Sequence, residues 1–269
     1  MNKSTAYSWD AKDYAKQSVN QQKWARELIE ELKLQGNESI LDIGCGDGKV
    51  TAEIASKIPH GKITGIDNSV SMIELARTNF PNSQYPNLNF EVGDARSISF
   101  SNQFNIVFSN AVLHWVIDHR LVLKNIYECL KPGGQILLQM GGKGNAADII
   151  AVLDEMKLED EWKSYFIDFD FPYGFHGDRE YQKWLTEAGF KLKRVELIPK
   201  IMTHPDKAAL EGWIRTTWLP YTQRIPETER DQFVSDLAGR YIQKQPADSD
   251  GMIKINMMRL EVEAGKSQE

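Results

Sequence analysis

Two acids and three glycines fall within eight residues near the start of the chain, Leu41-Asp42-Ile43-Gly44-Cys45-Gly46-Asp47-Gly48. A glycine loop that follows a short apolar run lets backbone N–H groups approach a ligand at the carboxyl edge of a sheet, where a Cβ would hold the ligand off. Asp67 closes the next such run, where an acid can accept hydrogen bonds from both hydroxyls of a ribose. A dinucleotide fingerprint would read G-x-G-x-x-G and set a pyrophosphate on the following helix N-terminus. Here the third glycine comes one residue early, and Asp42 and Asp47 would repel a phosphate. A ligand carrying an amine or a sulfonium fits this loop better than NAD does.

The elements that must hold these residues alternate along the chain. Apolar residues at spacings of three and four predict a helix within Asp13 to Leu34, stopped by Gly36-Asn37-Glu38. Strands are expected at Ser39–Ile43, Lys62–Ile66, Leu88–Val92, Phe104–Ser109 and Gln135–Met140, and helices at Val50–Ile58, Ser69–Asn79 and Asp118–Leu130. This rhythm predicts an α/β fold, a doubly wound, mostly parallel sheet with helices on both faces. Past Met140, helices are expected near Ala146–Leu158 and Arg179–Ala188, then strands at Phe190–Ile198 and Met252–Ala264. The stretch between those strands, too long for a turn, reads as a helical insertion with helices at Asp206–Thr217 and Glu227–Gln243. The expected organisation is an N-terminal helical cap segment (1–35), a ligand-binding core (36–200), a helical cap insertion (201–250), and a final antiparallel core strand with tail (251–269).

Composition narrows the class of function. The chain has 269 residues, of which 41% are hydrophobic and 26% charged, as in a globular protein. A net charge of −6 disfavours a nucleic-acid partner. No stretch reaches the roughly 18 apolar residues of a membrane span, and the first residues lack the apolar core of a secretory signal; a cytoplasmic location is expected. Cys45 and Cys129 are not in metal-ligand spacing, His114 and His119 are five apart rather than four, and no metal is expected. Cys45, small and flanked by glycines, reads as a packing choice in a tight loop.

The set D-x-G-x-G-x-G, an acid ending the second strand, Gly93-Asp94-Ala95 after the third, and Leu130-Lys131-Pro132-Gly133-Gly134 before the fifth resembles the class I S-adenosylmethionine-dependent methyltransferases. The likeness extends to Trp9-Asp10 with Tyr14, to Ser109-Asn110-Ala111-Val112-Leu113-His114-Trp115-Val116, and to Asp118-His119. With Trp213-Ile214 through Trp218-Leu219-Pro220-Tyr221, and Asp250-Gly251 before Met258-Arg259-Leu260, the chain is similar to the trans-aconitate methyltransferase family. The resemblance implies a methyl transfer that leaves S-adenosylhomocysteine. It implies that Gly44, Cys45 and Gly46 line the methionine portion with Asp42 near its ammonium group. Asp67, with Asn68, would hold the ribose, Asp94 and Ala95 the adenine, and Asn110 and Tyr14 the methionine end. Where the family carries Gly-Leu-Arg-Pro this chain has Trp218-Leu219-Pro220, without the arginine, and His114 stands where the family often has Gln.

For the acceptor, the resemblance implies a small-molecule carboxylate. His114 would face the departing methyl group, either donating a hydrogen bond that orients a carboxylate or acting as general base toward a phenol or alcohol. Trp115, Trp213, Trp218 and Tyr221 could wall an acceptor pocket, with Arg215 meeting an acidic acceptor; the alternative is that the aromatics glue cap to core. Methylation of a carrier-bound acyl carboxylate, or of a hydroxyl, nitrogen or carbon of a metabolite, stays open, as does a non-catalytic S-adenosylmethionine sensor. Sequence does not indicate an oligomeric state.

Overall fold

The computed structural model describes residues 19–268, with side chains from Trp24 onward. Trp9, Asp10 and Tyr14 lie outside these residues. The described chain opens with α1 (Val19–Glu31) and then alternates: β1 (Ser39–Ile43), α2 (Lys49–Lys57), β2 (Lys62–Asp67), α3 (Val70–Asn79), β3 (Leu88–Val92), β4 (Phe104–Asn110), α4 (His119–Cys129) and β5 (Leu130–Gly141). There follow α5 (Ala147–Met156), α6 (Asp178–Glu187), β6 (Lys191–His204), α7 (Lys207–Thr217), α8 (Leu219–Thr222), α9 (Glu227–Lys244) and β7 (Ile253–Gly265).

The seven strands form one sheet in the order β3-β2-β1-β4-β5-β7-β6. β1 pairs parallel with β2 and β4, as do β2 with β3 and β4 with β5, while β7 runs antiparallel to β5. The expected doubly wound sheet with an antiparallel final strand is therefore present. All five residues of β1 are buried, as a strand covered on both faces requires. One apolar layer carries Ile40, Ile54, Ile63 and Phe90, and the other Leu41, Val107, Ile126 and Leu138. Chain order reverses beside β1, whose neighbours are β2 and β4, and ligands of such sheets bind beyond the carboxyl ends at that point.

Local chemistry sets the helix starts. Ser69 Oγ accepts from Met72 N–H at 3.4 Å to begin α3, and the Asp118 carboxylate accepts from Arg120 N–H at 3.0 Å at the start of α4. Two strands are longer than expected. β5 begins at Leu130, so Lys131-Pro132-Gly133-Gly134 belong to the strand. β6 continues past Ile198 to His204 despite Pro199; it is the last strand in the sheet order, and a proline is tolerated on an edge strand, where its missing N–H need not serve a ladder. The short α8 has no counterpart among the expected elements.

Two compact units divide the described residues. A sheet-bearing unit contains Val19–Lys143, Tyr173–Ile198 and Met258–Glu269, and a helical unit contains Gly144–Pro172 and Pro199–Met257. The helix Val19–Glu31 thus falls in the sheet unit and residues 144–172 in the helical one, so these boundaries differ from those expected at 35 and 200.

Candidate functional site

The glycine loop turns between the end of β1 and the start of α2. Gly44, Gly46 and Gly48 all have positive φ, at 76°, 53° and 83°, a conformation that other residues adopt at a cost. A Cβ on Gly44 would come within 2.2 Å of Val112, whereas one on Gly46 would meet nothing within 4 Å. The first glycine is thus required by packing against the loop after β4, and the second leaves its backbone open to a ligand. Gly44 and Cys45 N–H groups donate to Ile66 O at 2.7 and 3.0 Å, tying the loop to β2. Asp67 completes the tie: Oδ2 accepts from Gly46 N–H at 3.0 Å and Oδ1 from Ser69 N–H at 2.9 Å.

Burial raises the carboxyl of Asp67, opposed by those two N–H groups. Asp42 is more deeply placed. It accepts from Thr51 Oγ1 at 2.7 Å, and burial pushes its carboxyl up to about 7, with Thr51 lowering it and Asp67 raising it. Asp47 pairs with Lys49 Nζ at 2.8 Å. A cationic ligand in this acidic corner would favour the charged carboxylates, so an ammonium- and sulfonium-bearing nucleoside fits the residues present. Cys45 packs against Gly65, where a Cβ would lie 2.8 Å from its own Cβ, and burial drives its thiol well above the ordinary range. That is a packing environment, one that suppresses the thiolate.

After β3, Asp94 accepts from Arg96 N–H at 2.8 Å and from Arg96 Nε at 2.9 Å. The guanidinium hydrogen-bonds hold its carboxyl below the usual carboxylate range. Ala95 is buried beside it and Asn68 is exposed at the end of β2. Asn110 closes β4, half-buried. Asp42, Gly44, Cys45, Gly46, Asp67, Asn68, Asp94, Ala95 and Asn110 therefore sit at the carboxyl ends of four adjacent strands, β3, β2, β1 and β4.

Beyond β4 the chain makes a short 3-10 turn, Leu113–Trp115, and His114 is buried. Gly141 N–H donates to His114 Nδ1 at 3.4 Å. A neutral imidazole that accepts at Nδ1 carries its proton on Nε2. Burial, then Arg259, then His119 hold this ring well below the ordinary histidine range, so it is neutral. Its ring lies 5.8 Å from Phe175 and 5.9 Å from Trp115, centroid to centroid.

Besides His119, residues that the sequence did not single out hold this turn. Gly174 N–H donates to His114 O at 2.8 Å. His119 Nε2 lies 2.9 Å from Val116 O and His176 Nε2 lies 3.0 Å from Ile117 O, so both rings donate to successive carbonyls. Tyr181 OH meets His119 Nδ1 at 3.1 Å, and burial takes His119 down to about 4. The segment 173–181 carries no motif, and only its histidine and aromatics could have drawn attention.

The helical unit places Trp213, Trp218 and Tyr221 differently from an open pocket wall. All three are buried and form a row of rings, with Trp213–Trp218 and Trp218–Tyr221 centroids each 5.8 Å apart. Tyr221 continues to Phe169 at 4.7 Å, while His204 abuts Trp213 at 5.6 Å. These rings are core within their own unit. Arg215 is exposed on α7. Among the described residues, no helix is long and apolar enough to cross a membrane.

Comparison with known proteins gives the same class of molecule. A family model described as a methyltransferase domain matches residues 34–189. Trans-aconitate 2-methyltransferase of Rhizobium etli is 27% identical over 96% of the chain and 99% of its own length. An uncharacterized methyltransferase of Schizosaccharomyces pombe is 31% identical over 71% of the chain and 74% of its own. Among solved structures, phosphoethanolamine N-methyltransferase 2 of Haemonchus contortus, in complex with S-adenosylhomocysteine, superposes with a TM-score of 0.61 at 20% identity, covering 96% of this chain and 57% of that one.

Proposed function

We propose, because the chain belongs to the methyltransferase domain family, that it esterifies a carboxyl group of a small organic acid with a methyl group from S-adenosylmethionine. That donor supplies an electrophilic methyl carbon on a sulfonium. The chain's own part is to bind, orient and keep the acceptor oxygen in line with that carbon, which is the main lever available to such a displacement. Gly44 and Gly46 would admit the methionine portion, with Asp42 near its ammonium, Asp67 and Asn68 on the ribose, Asp94 and Ala95 on the adenine, and Asn110 at the methionine end.

His114 carries the choice of acceptor. A general base needs a free lone pair, and His114 Nδ1 is taken up by Gly141 N–H while Nε2 bears the proton. A phenol or alcohol would need that base; a carboxylate, ionised at neutral pH, does not. The neutral ring supports an orienting role: Nε2–H donates to one oxygen of the carboxylate so that the other faces the methyl carbon. Trp115 is proposed to contact the acceptor alongside it. The Rhizobium relative, named for methylating trans-aconitate, supports the same class of acceptor.

The test is transfer of labelled methyl from S-adenosylmethionine into trans-aconitate and a panel of small carboxylic acids, followed by mild base. The expected outcome is label released as methanol, the signature of an ester. Label that resists base would point to an ether, amine or carbon acceptor and would remove carboxyl methylation.

A further inference from the structure

The turn that carries His114 is closed by short-range bonds. Trp115 N–H donates to Val112 O and Val116 N–H to Leu113 O, each at 2.9 Å, and His119 reaches back from α4 to Val116 O. The rest of the sheet unit fixes this turn at both ends. At the near end, Gly141 N–H holds the His114 ring and Gly174 N–H the His114 carbonyl. At the far end, His176 Nε2 lies 3.0 Å from Ile117 O, across 59 residues of chain.

His176 is framed before it reaches that carbonyl. Its own carbonyl accepts from Lys143 N–H at 2.8 Å, and it forms an isolated parallel bridge with Gly142. Residues 141–143 are thus the common reference for two histidines, through the ring of His114 and the backbone of His176. The His176 ring meets His119 and Trp184 edge to face, at 4.5 and 4.7 Å between centroids. Its Nδ1 lies 2.9 Å from Glu180 Oε1, while Glu180 Oε2 accepts from Gly177 N–H at 3.4 Å. A carbonyl and a carboxylate only accept, so both His176 nitrogens donate. His119 differs, because Tyr181 OH can donate to its Nδ1. Even the space alongside is taken up: a Cβ on Gly174 would fall 2.2 Å from Val116 O and 2.9 Å from His176 Nε2. A side chain locked by packing and by a bond on its other nitrogen holds what it touches to within about 0.5 Å, the tolerance that reacting geometries require.

We propose that His176 is a positioning residue for methyl transfer: donating from Nε2 to the Ile117 carbonyl, with Glu180 fixing the ring from its other side, it sets the turn so that His114 Nε2–H meets the acceptor. The inference rests on the reading of His114 as the group that orients the acceptor, and deepens it. His176 acts through the backbone of the turn, with no need to touch either substrate. Its loss misaligns the acceptor, which lowers kcat and leaves cofactor affinity in place.

The experiment uses the full chain as wild type, His176→Gln, His176→Asn and His176→Phe. The glutamine amide nitrogen reaches about as far as Nε2 and keeps the donor to Ile117. The asparagine amide nitrogen stands nearer Nδ1 and loses that donor, and phenylalanine keeps the ring packing without either nitrogen. Labelled methyl transfer to the acceptor panel gives kcat and KM, calorimetric titration gives S-adenosylhomocysteine affinity, and NMR follows the His114 ring in that complex. The expected kcat is roughly 10- to 100-fold lower in His176→Asn and His176→Phe, and within about fivefold of wild type in His176→Gln. Cofactor affinity should stay within about threefold throughout. The His114 ring resonances should move in His176→Asn and His176→Phe but not in His176→Gln, a readout that needs no acceptor. Wild-type kcat in His176→Asn, His176→Gln impaired as much as His176→Asn, or unmoved His114 resonances in His176→Asn would each overturn the proposal. So would Tm and cofactor affinity that fall in step with kcat, the mark of a merely structural role. If wild type transfers no methyl to the panel, the resonances alone decide. His114→Ala run alongside separates premise from inference: turnover lost there but kept in His176→Asn removes His176 alone, and turnover kept in both removes both. Base-stable label with the expected pattern of variants leaves His176 standing and removes carboxyl methylation, whereas base-labile label formed equally fast by every His176 variant does the reverse.

Discussion

The loop after β1 and the loop after β4 lie at the ends of adjacent strands, and they are built by different means and differ in charge. The first is acidic: Asp42, Asp47 and Asp67 surround three glycines, and burial raises Asp42 and Asp67 toward the neutral form that a cation would reverse. The second is basic or neutral, with His114 and His119 held uncharged by burial and Arg259 close by. The first is held by its own glycines and by the neighbouring strand, through Ile66 O and Asp67. The second is held from far along the chain, by Gly141, Gly174 and His176. The two come close where a Cβ on Gly44 would fall against Val112. On the proposed reading, a methyl transfer from a cationic donor to an anionic acceptor would use both environments side by side, and they lie on two strand ends.

The contrast can be broken most severely at the steric meeting point. Gly44→Ala places a Cβ 2.2 Å from Val112 at a φ of 76°, for a cost of about 3 kcal/mol from the left-handed backbone and overpacking together. The expected result is a lowered Tm and at least a roughly 100-fold loss of S-adenosylhomocysteine affinity by calorimetric titration. Adding Val112→Ala should recover part of both. Affinity within threefold of wild type would mean the two loops are independent.

A smaller effect sharpens the role of the second loop. His114→Ala should lower turnover roughly 10- to 100-fold, the scale of a lost orienting contact, with cofactor affinity unchanged. Turnover at the wild-type rate would take His114 out of the mechanism.

The smallest test concerns the acidic loop alone. The Asp42 carboxyl, ordinarily at 3.8, is raised to about 7 in the folded chain. A group raised in this way contributes stability that is full below its unfolded value and is lost as pH climbs through its folded value. Wild type should therefore lose stability between pH 4 and 8 on this account, and Asp42→Asn, which cannot ionise, should flatten that slope by on the order of 1 kcal/mol. Denaturant melts at pH 5 and pH 8 decide it; parallel slopes would show that Asp42 does not titrate in that range.

The same contrast explains what the sequence disclosed. The acidic loop could be read because every device in it is local: glycines at fixed offsets, an apolar run before them and an acid closing the next strand. The sheet followed from the same local patterns; its misreadings were the late start expected for β5 and the early end expected for β6, where Pro199 is tolerated because that strand lies at an edge. The second loop resisted reading because its supports are tertiary. Nothing near His114 announces Gly174 or His176, and Arg259 appeared only as part of a closing motif until the β5–β7 register set it opposite Gly141. The aromatic run Trp213 to Tyr221 was legible as important, but residue types alone could not distinguish a ring row packed as core from one lining a pocket.

Pro199 has a bearing on how the protein behaves in concentrated solution. An edge strand is a template for pairing with another chain, and natural sheets blunt it with proline, with lysines or with brevity. β6 carries Pro199 together with Lys191, Lys193 and Lys200, and the opposite edge, β3, is only five residues long. Both margins of the sheet thus discourage strand-to-strand growth, so self-association through extended sheets is the mode of aggregation this chain is best protected against.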